Sequence, residues 1–213
     1  YMAGGGDIMA AVWLCLGIWL VLSTFFEWAE RVKLFKPGFM ARILRQPRAS
    51  LGMSLGHLGL AIAVLGMAGS SFWGTEKQNI MTYGDQASIG GYEVTFKSTD
   101  GIAGPNYSAV RAAFVVSKDG SLVAELEPES RIYFTPPMPT TEAAIYSTFF
   151  GDLFVVIGEA NNKEYDRFAV RLYYKPLQTW LWGGIAVMVL GGLISLSDRR
   201  FRMGTPKRKA KNE

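Results

Sequence analysis

The chain has 213 residues, a net charge of +4, 49% hydrophobic content, one His and one Cys. That single pair excludes an internal disulfide, a Cys/His zinc cluster and a Cys-x-x-Cys thiol oxidoreductase. Uncharged runs of 19 residues between Asp7 and Glu27, 27 between Arg48 and Glu76 and 22 between Lys175 and Asp198 exclude a water-soluble fold, since a bilayer core needs about 20 apolar residues.

The first predicted span runs from about Ile8 to Phe26, inside a first region of residues 1–50 that also holds a basic loop. Cys15 falls mid-span, where a thiol is a small packing group. The loop from Glu27 to Arg48 carries six basic and two acidic residues. Pro37 and Pro47 break it, and it has room for a short amphipathic segment on the membrane surface.

The second span, residues 51–73, repeats small residues at steps of four and three: Gly52, Gly56, Gly59, Ala63 and Gly66. They share one helical face, which permits close backbone approach to another helix or to a flat ligand. His57 is the one titratable residue of this span, about six residues from its basic end, or roughly 9 Å into the bilayer at 1.5 Å per residue. Ionisable groups at such depth are costly and mark function. Gly56 and Gly59 leave room beside it for something broad and flat. Two readings of His57 stand: an axial ligand to a haem iron, or a neutral side chain hydrogen-bonded to a neighbouring helix. A proton relay would need a further carboxylate or His within a span, and the chain has none.

The region 74–176 reads as a β domain. Short runs rich in Val, Ile, Tyr and Phe cover Tyr92 to Phe96, Ala112 to Val116, Ser121 to Leu126, Arg131 to Phe134, Leu153 to Ile157 and Phe168 to Tyr174. Asp119-Gly120 marks a hairpin candidate, and the run Pro136-Pro137-Met138-Pro139 forbids regular structure there. A small antiparallel barrel or sandwich is expected. The third span, residues 177–197, carries Gly183, Gly184, Gly191 and Gly192 and again suits close helix packing. Residues 198–213 form a basic tail, expected to be disordered from Lys207 to Lys211.

The charges set a topology. The loop at Glu27 to Arg48 carries +4 and the tail +5, while Gly74 to Thr179 holds nine basic and thirteen acidic residues. The positive-inside rule puts both basic segments in the cytoplasm and the β domain outside, in a bacterial periplasm. Trp73, Trp180 and Trp182 then form an aromatic belt at the outer interface. Both basic clusters adjoin spans, so they imply a membrane and not nucleic acid. The N-terminus is outside without a cleavable signal, and the chain begins at Tyr1, so a piece of a longer polytopic protein is expected. The fold class is an α+β membrane protein: three transmembrane helices, with the β domain between the second and third.

Several stretches carry a family resemblance: GMSLGHLG from Gly52 to Gly59, PESRIY from Pro128 to Tyr133, TTEAAI from Thr140 to Ile145, GDLFVVIGE from Gly151 to Glu159, VRLYYKP from Val170 to Pro176 and SDRR from Ser197 to Arg200. In this order they resemble the C-terminal third of the CcmF family of the cytochrome c maturation system. The resemblance implies a haem lyase component in the bacterial inner membrane, which transfers haem from a CcmE-like chaperone to apocytochrome c beside CcmH-like and CcmI-like subunits. It implies that His57 is one axial ligand of an intramembrane b-type haem. The second ligand, and the Trp-rich external haem motif with its flanking His, would come from an N-terminal CcmF-like part, because one His cannot complete either site. No catalytic residue is implied within this chain, so it reads as part of a haem lyase complex and not as a complete enzyme. Arg131, Glu142, Asp152 and Glu159 lie in the family stretches and suit fold-stabilising charges. The alternative function is a non-catalytic, membrane-anchored β-domain scaffold with a structural His57.

Overall fold

The computed structural model describes residues 5–160 and 167–198. The basic tail beyond Asp198 and the Glu159 side chain lie outside the described residues. The chain divides into two compact units, residues 1–66 with 180–213 and residues 67–179.

In the helical unit, α1 (Gly5–Val32) and α2 (Phe39–Leu44) precede α3 (Arg48–Phe72), and α4 (Gln178–Leu196) closes the described chain. Three of these are long and apolar enough to cross a membrane: Ile8–Val32, Arg48–Phe72 and Gln178–Leu196. None of the three contains proline, so no i to i−4 hydrogen bond is lost within them. Of the carbonyls left open at the end of α1, Glu30 O and Ala29 O accept from the Lys33 and Leu34 N–H groups, and Arg42 serves Val32 and the loop that follows. Its Nε donates to Val32 O at 2.7 Å, and Nη2 reaches Lys33 O at 3.3 Å and Lys36 O at 3.2 Å. At the start of α3 the Ala49 N–H donates to the Asp198 carboxylate at 3.0 Å, an acidic cap of the kind the helix dipole favours. The amphipathic segment expected in the loop is α2, whose Met40 and Leu44 are exposed.

The second unit is a β-sandwich. One antiparallel sheet has the order β1-β10-β9-β8, with β1 at Thr75–Met81, β8 at Ala144–Thr148, β9 at Gly151–Ala160 and β10 at Phe168–Pro176. The other has the order β2-β3-β4-β6-β7, with β2 at Gln86–Ile89, β3 at Tyr92–Ala103, β4 at Tyr107–Lys118, β6 at Glu129–Phe134 and β7 at Pro137–Glu142, while β5 (Ser121–Leu126) also pairs with β4. The core follows the period-2 rule of strands: Val94 and Phe96, Ala112, Phe114 and Val116, Leu153, Val155 and Ile157, and Phe168, Val170 and Leu172 are all buried. Phe96 stacks on Phe114 at 4.8 Å between ring centroids and meets Phe168 of the other sheet edge-on at 5.7 Å. Such side chains contribute about 1.5–3 kcal/mol each on full burial.

The hairpin at Asp119-Gly120 is present, joining β4 to β5 with φ of 51° and 75° at the two turn residues. That backbone belongs to a type I′ turn, which Gly accepts without steric cost. The proline cluster differs from expectation, because Pro137 and Pro139 lie inside β7 and pair with Phe134 and Ile132. β7 is an edge strand, and two prolines of the same parity can both turn their missing donors away from the neighbouring strand.

Candidate functional site

The central helix α3 is gripped on two opposite faces. On one, α4 approaches backbone to backbone. A methyl group added at Gly59 would stand 2.6 Å from Gly184 O and from Met188 N, and one added at Gly191 would stand 2.6 Å from Gly56 N and 2.7 Å from Gly52 O. Gly52 and Gly191 meet in the same way, so glycines seven residues apart on each helix form an antiparallel seam. On the other face α1 packs against Leu65 through Gly17 and, one end further, sends Arg31 to Ser50 O at 3.1 Å and Ser54 Oγ at 3.4 Å.

His57 lies on the face between these two contacts. At 100° per residue, Met53, His57, Leu60 and Val64 fall within about 60° of one another and roughly midway between the seam and the α1 contact. His57, Met53 and Leu60 are exposed there. Gly56 adjoins this face, and a Cβ placed on it would meet nothing within 4 Å. The helix begins at Arg48, three residues before the expected start of the span. His57 therefore sits about 14 Å along it at 1.5 Å per residue. The expected small-residue stripe thus splits in use: Gly52, Gly59, Ala63 and the Gly56 backbone serve the α4 seam, and the side of Gly56 where a Cβ would stand leaves open space near the imidazole.

This arrangement offers one axial nitrogen on an exposed, apolar face with open space at Gly56, which fits one side of a haem. It offers no complete protein metal site, because no group of three or more His, Cys, Asp or Glu side chains comes together among the described residues. Cys15 is exposed on α1, two residues from the Gly17 contact with Leu65. That level is eight residues, or about 12 Å along α3, from His57, so the thiol cannot share an iron with it.

In the sandwich the charged residues of the family stretches are occupied in holding strands together. Glu129 of β6 is buried and accepts from Arg131 Nε at 2.8 Å and from Arg111 Nε at 2.8 Å, while Arg131 also pairs with Glu142 at 3.2 Å. The Arg131 guanidinium lies over the Tyr107 ring at 4.8 Å, a favourable cation–π geometry. One network therefore links β4, β6 and β7. Asp152 is buried and accepts from Thr179 Oγ1 at 3.1 Å. Sequence reasoning did not single out Glu129, the centre of the network, because nothing in its local pattern distinguishes it from the neighbouring Glu127.

The hydrogen bond from Arg131, reinforced by Arg111 and opposed by burial, holds the Glu129 carboxyl below its ordinary value of 4.5. A depressed folded-state value gives stability that is present above the unfolded pKa and lost as pH falls through the folded one. Glu129→Gln is expected to lower the stability of the sandwich at neutral pH by about 1.5–3 kcal/mol, the range for hydrogen bonds to charged groups. It should also flatten the decline that the parent shows below about pH 4.5. Thermal unfolding followed by near-ultraviolet circular dichroism across that pH range checks both.

Residues 72–176 match the family described as the CcmF C-terminal beta-sandwich. Among curated relatives, the cytochrome c-type biogenesis protein ccl1 of Rhodobacter capsulatus is 38% identical over 209 residues, covering 98% of this chain and 31% of the relative. The cytochrome c-type biogenesis protein CcmF of Pseudomonas aeruginosa is 35% identical over 188 residues, covering 88% of this chain and 28% of the relative. The chain thus spans under a third of the length of these relatives. A solved structure described as cytochrome c heme lyase CcmF shares the fold with a TM-score of 0.68 at 21% identity, over 88% of this chain and 30% of that one.

Proposed function

The chain belongs to the CcmF family of cytochrome c-type biogenesis proteins, and from that premise we propose that it is the C-terminal part of a haem lyase component that joins haem to apocytochrome c. The observation that carries this reading is the exposed His57 on α3, between the contacts that α1 and α4 make with that helix. Intramembrane ionisable residues face a protein interior or a functional cavity, so the imidazole is directed at a partner outside this chain.

His57 would supply one axial ligand of an intramembrane b-type haem, with the second His from an N-terminal CcmF-like part that also carries the Trp-rich haem motif. When bound, haem supplies a one-electron centre whose potential depends on its axial ligands and burial. Gly56 leaves a flat group room to approach the helix, and Leu60 would border that group with apolar surface. The sandwich, which on this reading lies in the periplasm of the bacterial inner membrane, would dock a CcmE-like haem chaperone, CcmH-like and CcmI-like subunits, and apocytochrome c.

The test is made in the cell that encodes the chain. With His57→Ala in place of the parent, haem-stained c-type cytochromes should fall several-fold while the chain itself stays at its normal level in membranes. Met53→Leu, on the same face, should leave them unchanged. Full cytochrome maturation in the His57→Ala strain would overturn the proposal.

A further inference from the structure

The loop between α1 and α3 borders an open cavity of about 420 Å³ whose lining includes Arg31, Arg42, Arg45 and Gln46. Arg31 is neutralised by Glu27. Arg42 is held by backbone carbonyls, and neither it nor Arg45 pairs with a carboxylate among the described residues. Gln46 is the unexpected member: its Nε2 and Oε1 are both buried without a hydrogen-bond partner among the described residues. An unmatched buried amide is costly, and two unpaired cations beside it call for an anion that also carries a donor.

An apolar groove of about 340 Å³ runs between α1 and α3 along Val21, Phe25, Trp28, Leu51, Leu55 and Leu58, beginning at Trp28 and Leu51, about one helical turn from the cavity residues Arg31 and Pro47. The two are joined through Arg31, which lines the basic cavity and donates to Ser54 at the rim of the groove. At 100° per residue the groove leucines Leu51, Leu55 and Leu58 point about 100–160° away from His57, so this is a different site. Beside the loop, Phe35, Met40 and Leu44 are strongly exposed, as side chains that dip into a membrane interface are.

We propose that the loop and groove together bind one anionic phospholipid. The phosphate is held by Arg45, by the charge of Arg42 and by the Gln46 Nε2–H. Gln46 Oε1 accepts from a headgroup hydroxyl, as in phosphatidylglycerol, and one acyl chain fills the groove. A free phosphate would answer the cations but leave the groove without an occupant, and a neutral lipid would leave the cations unmatched.

Native mass spectrometry of the full chain in detergent, with equal amounts of phosphatidylglycerol and phosphatidylcholine, reads the site directly. The parent should retain phosphatidylglycerol at least fivefold over phosphatidylcholine, and the double variant Arg45→Gln with Gln46→Leu should lose that preference. A second measurement guards against misfolding. In phosphatidylcholine alone, Gln46→Leu should melt no lower than the parent, because it removes an unmatched amide; added phosphatidylglycerol should raise the melting temperature of the parent and not of Gln46→Leu. Equal retention of both lipids by the parent, or an unaltered preference in the double variant, overturns the proposal. Displacement of the lipid by millimolar inorganic phosphate would instead assign the cavity to the free anion and overturn it as well.

Discussion

Gly59→Ala should leave the helical unit less stable than Gly56→Ala does, three residues earlier, which should be neutral or stabilising. On helix propensity alone both changes favour the helix by about 1 kcal/mol, so any loss at Gly59 must come from packing. The added methyl would stand 2.6 Å from Gly184 O and Met188 N, both backbone atoms that cannot rotate aside. Overfilling a packed contact costs about 1–3 kcal/mol, enough to cancel or reverse the propensity gain. Gly59→Leu, with three further carbons on the seam, should go beyond that and separate α4 from α3. Gly192 is a second control, since it is exposed and its Cβ would meet nothing within 4 Å; Gly192→Ala should be neutral or stabilising. Thermal unfolding in detergent, read by far-ultraviolet circular dichroism, separates these cases. A Gly59→Leu chain that melts with the parent would show that the seam is not what joins the two helices.

The sandwich shows where sequence pattern carries information and where it fades. Six strands were expected, and all six occur, within β3, β4, β5, β6, β9 and β10. The four that the pattern missed are β1, β8, β2 and β7, the edge strands of the two sheets. An inner strand contributes a run such as Leu153, Val155 and Ile157 to the core, and the alternation is plain. β1 buries only Met81, and β7 buries no residue at all. With so little apolar burial there is no periodicity to read, and in β7 the prolines point away from strand altogether. β8 follows the same rule, with no fully buried side chain.

The helical unit was legible to a different degree. The small-residue face of α3 was visible in the spacing, and so were its two possible uses, but spacing could not apportion them. Gly52 and Gly59 are spent on α4, while Gly56 points into open space; a rotation of about 40–60° between neighbours on a helix decides this, and a partner helix distant in sequence sets it. The caps were out of reach for the same reason, because Asp198 reaches Ala49 across 149 residues.

If His57 is an axial ligand, removing its side chain must empty one coordination position and leave a gap of imidazole size. In the assembly purified with the upstream part that completes the site, the parent should show the visible spectrum of a low-spin b-type haem. His57→Gly should abolish that spectrum, a larger loss than any packing change on the same face produces. Free imidazole offers the same nitrogen donor without the backbone, so adding it should restore the low-spin bands in His57→Gly. Gly56→Leu should lower haem occupancy without lowering the melting temperature of the chain, since the space beside Gly56 is open to the ligand and not filled by a helix. The imidazole experiment is the most direct measurement of the claim that His57 holds haem. Loss of the low-spin spectrum in His57→Gly and its return with imidazole is the predicted result. A low-spin spectrum that persists unchanged in His57→Gly without imidazole would contradict it.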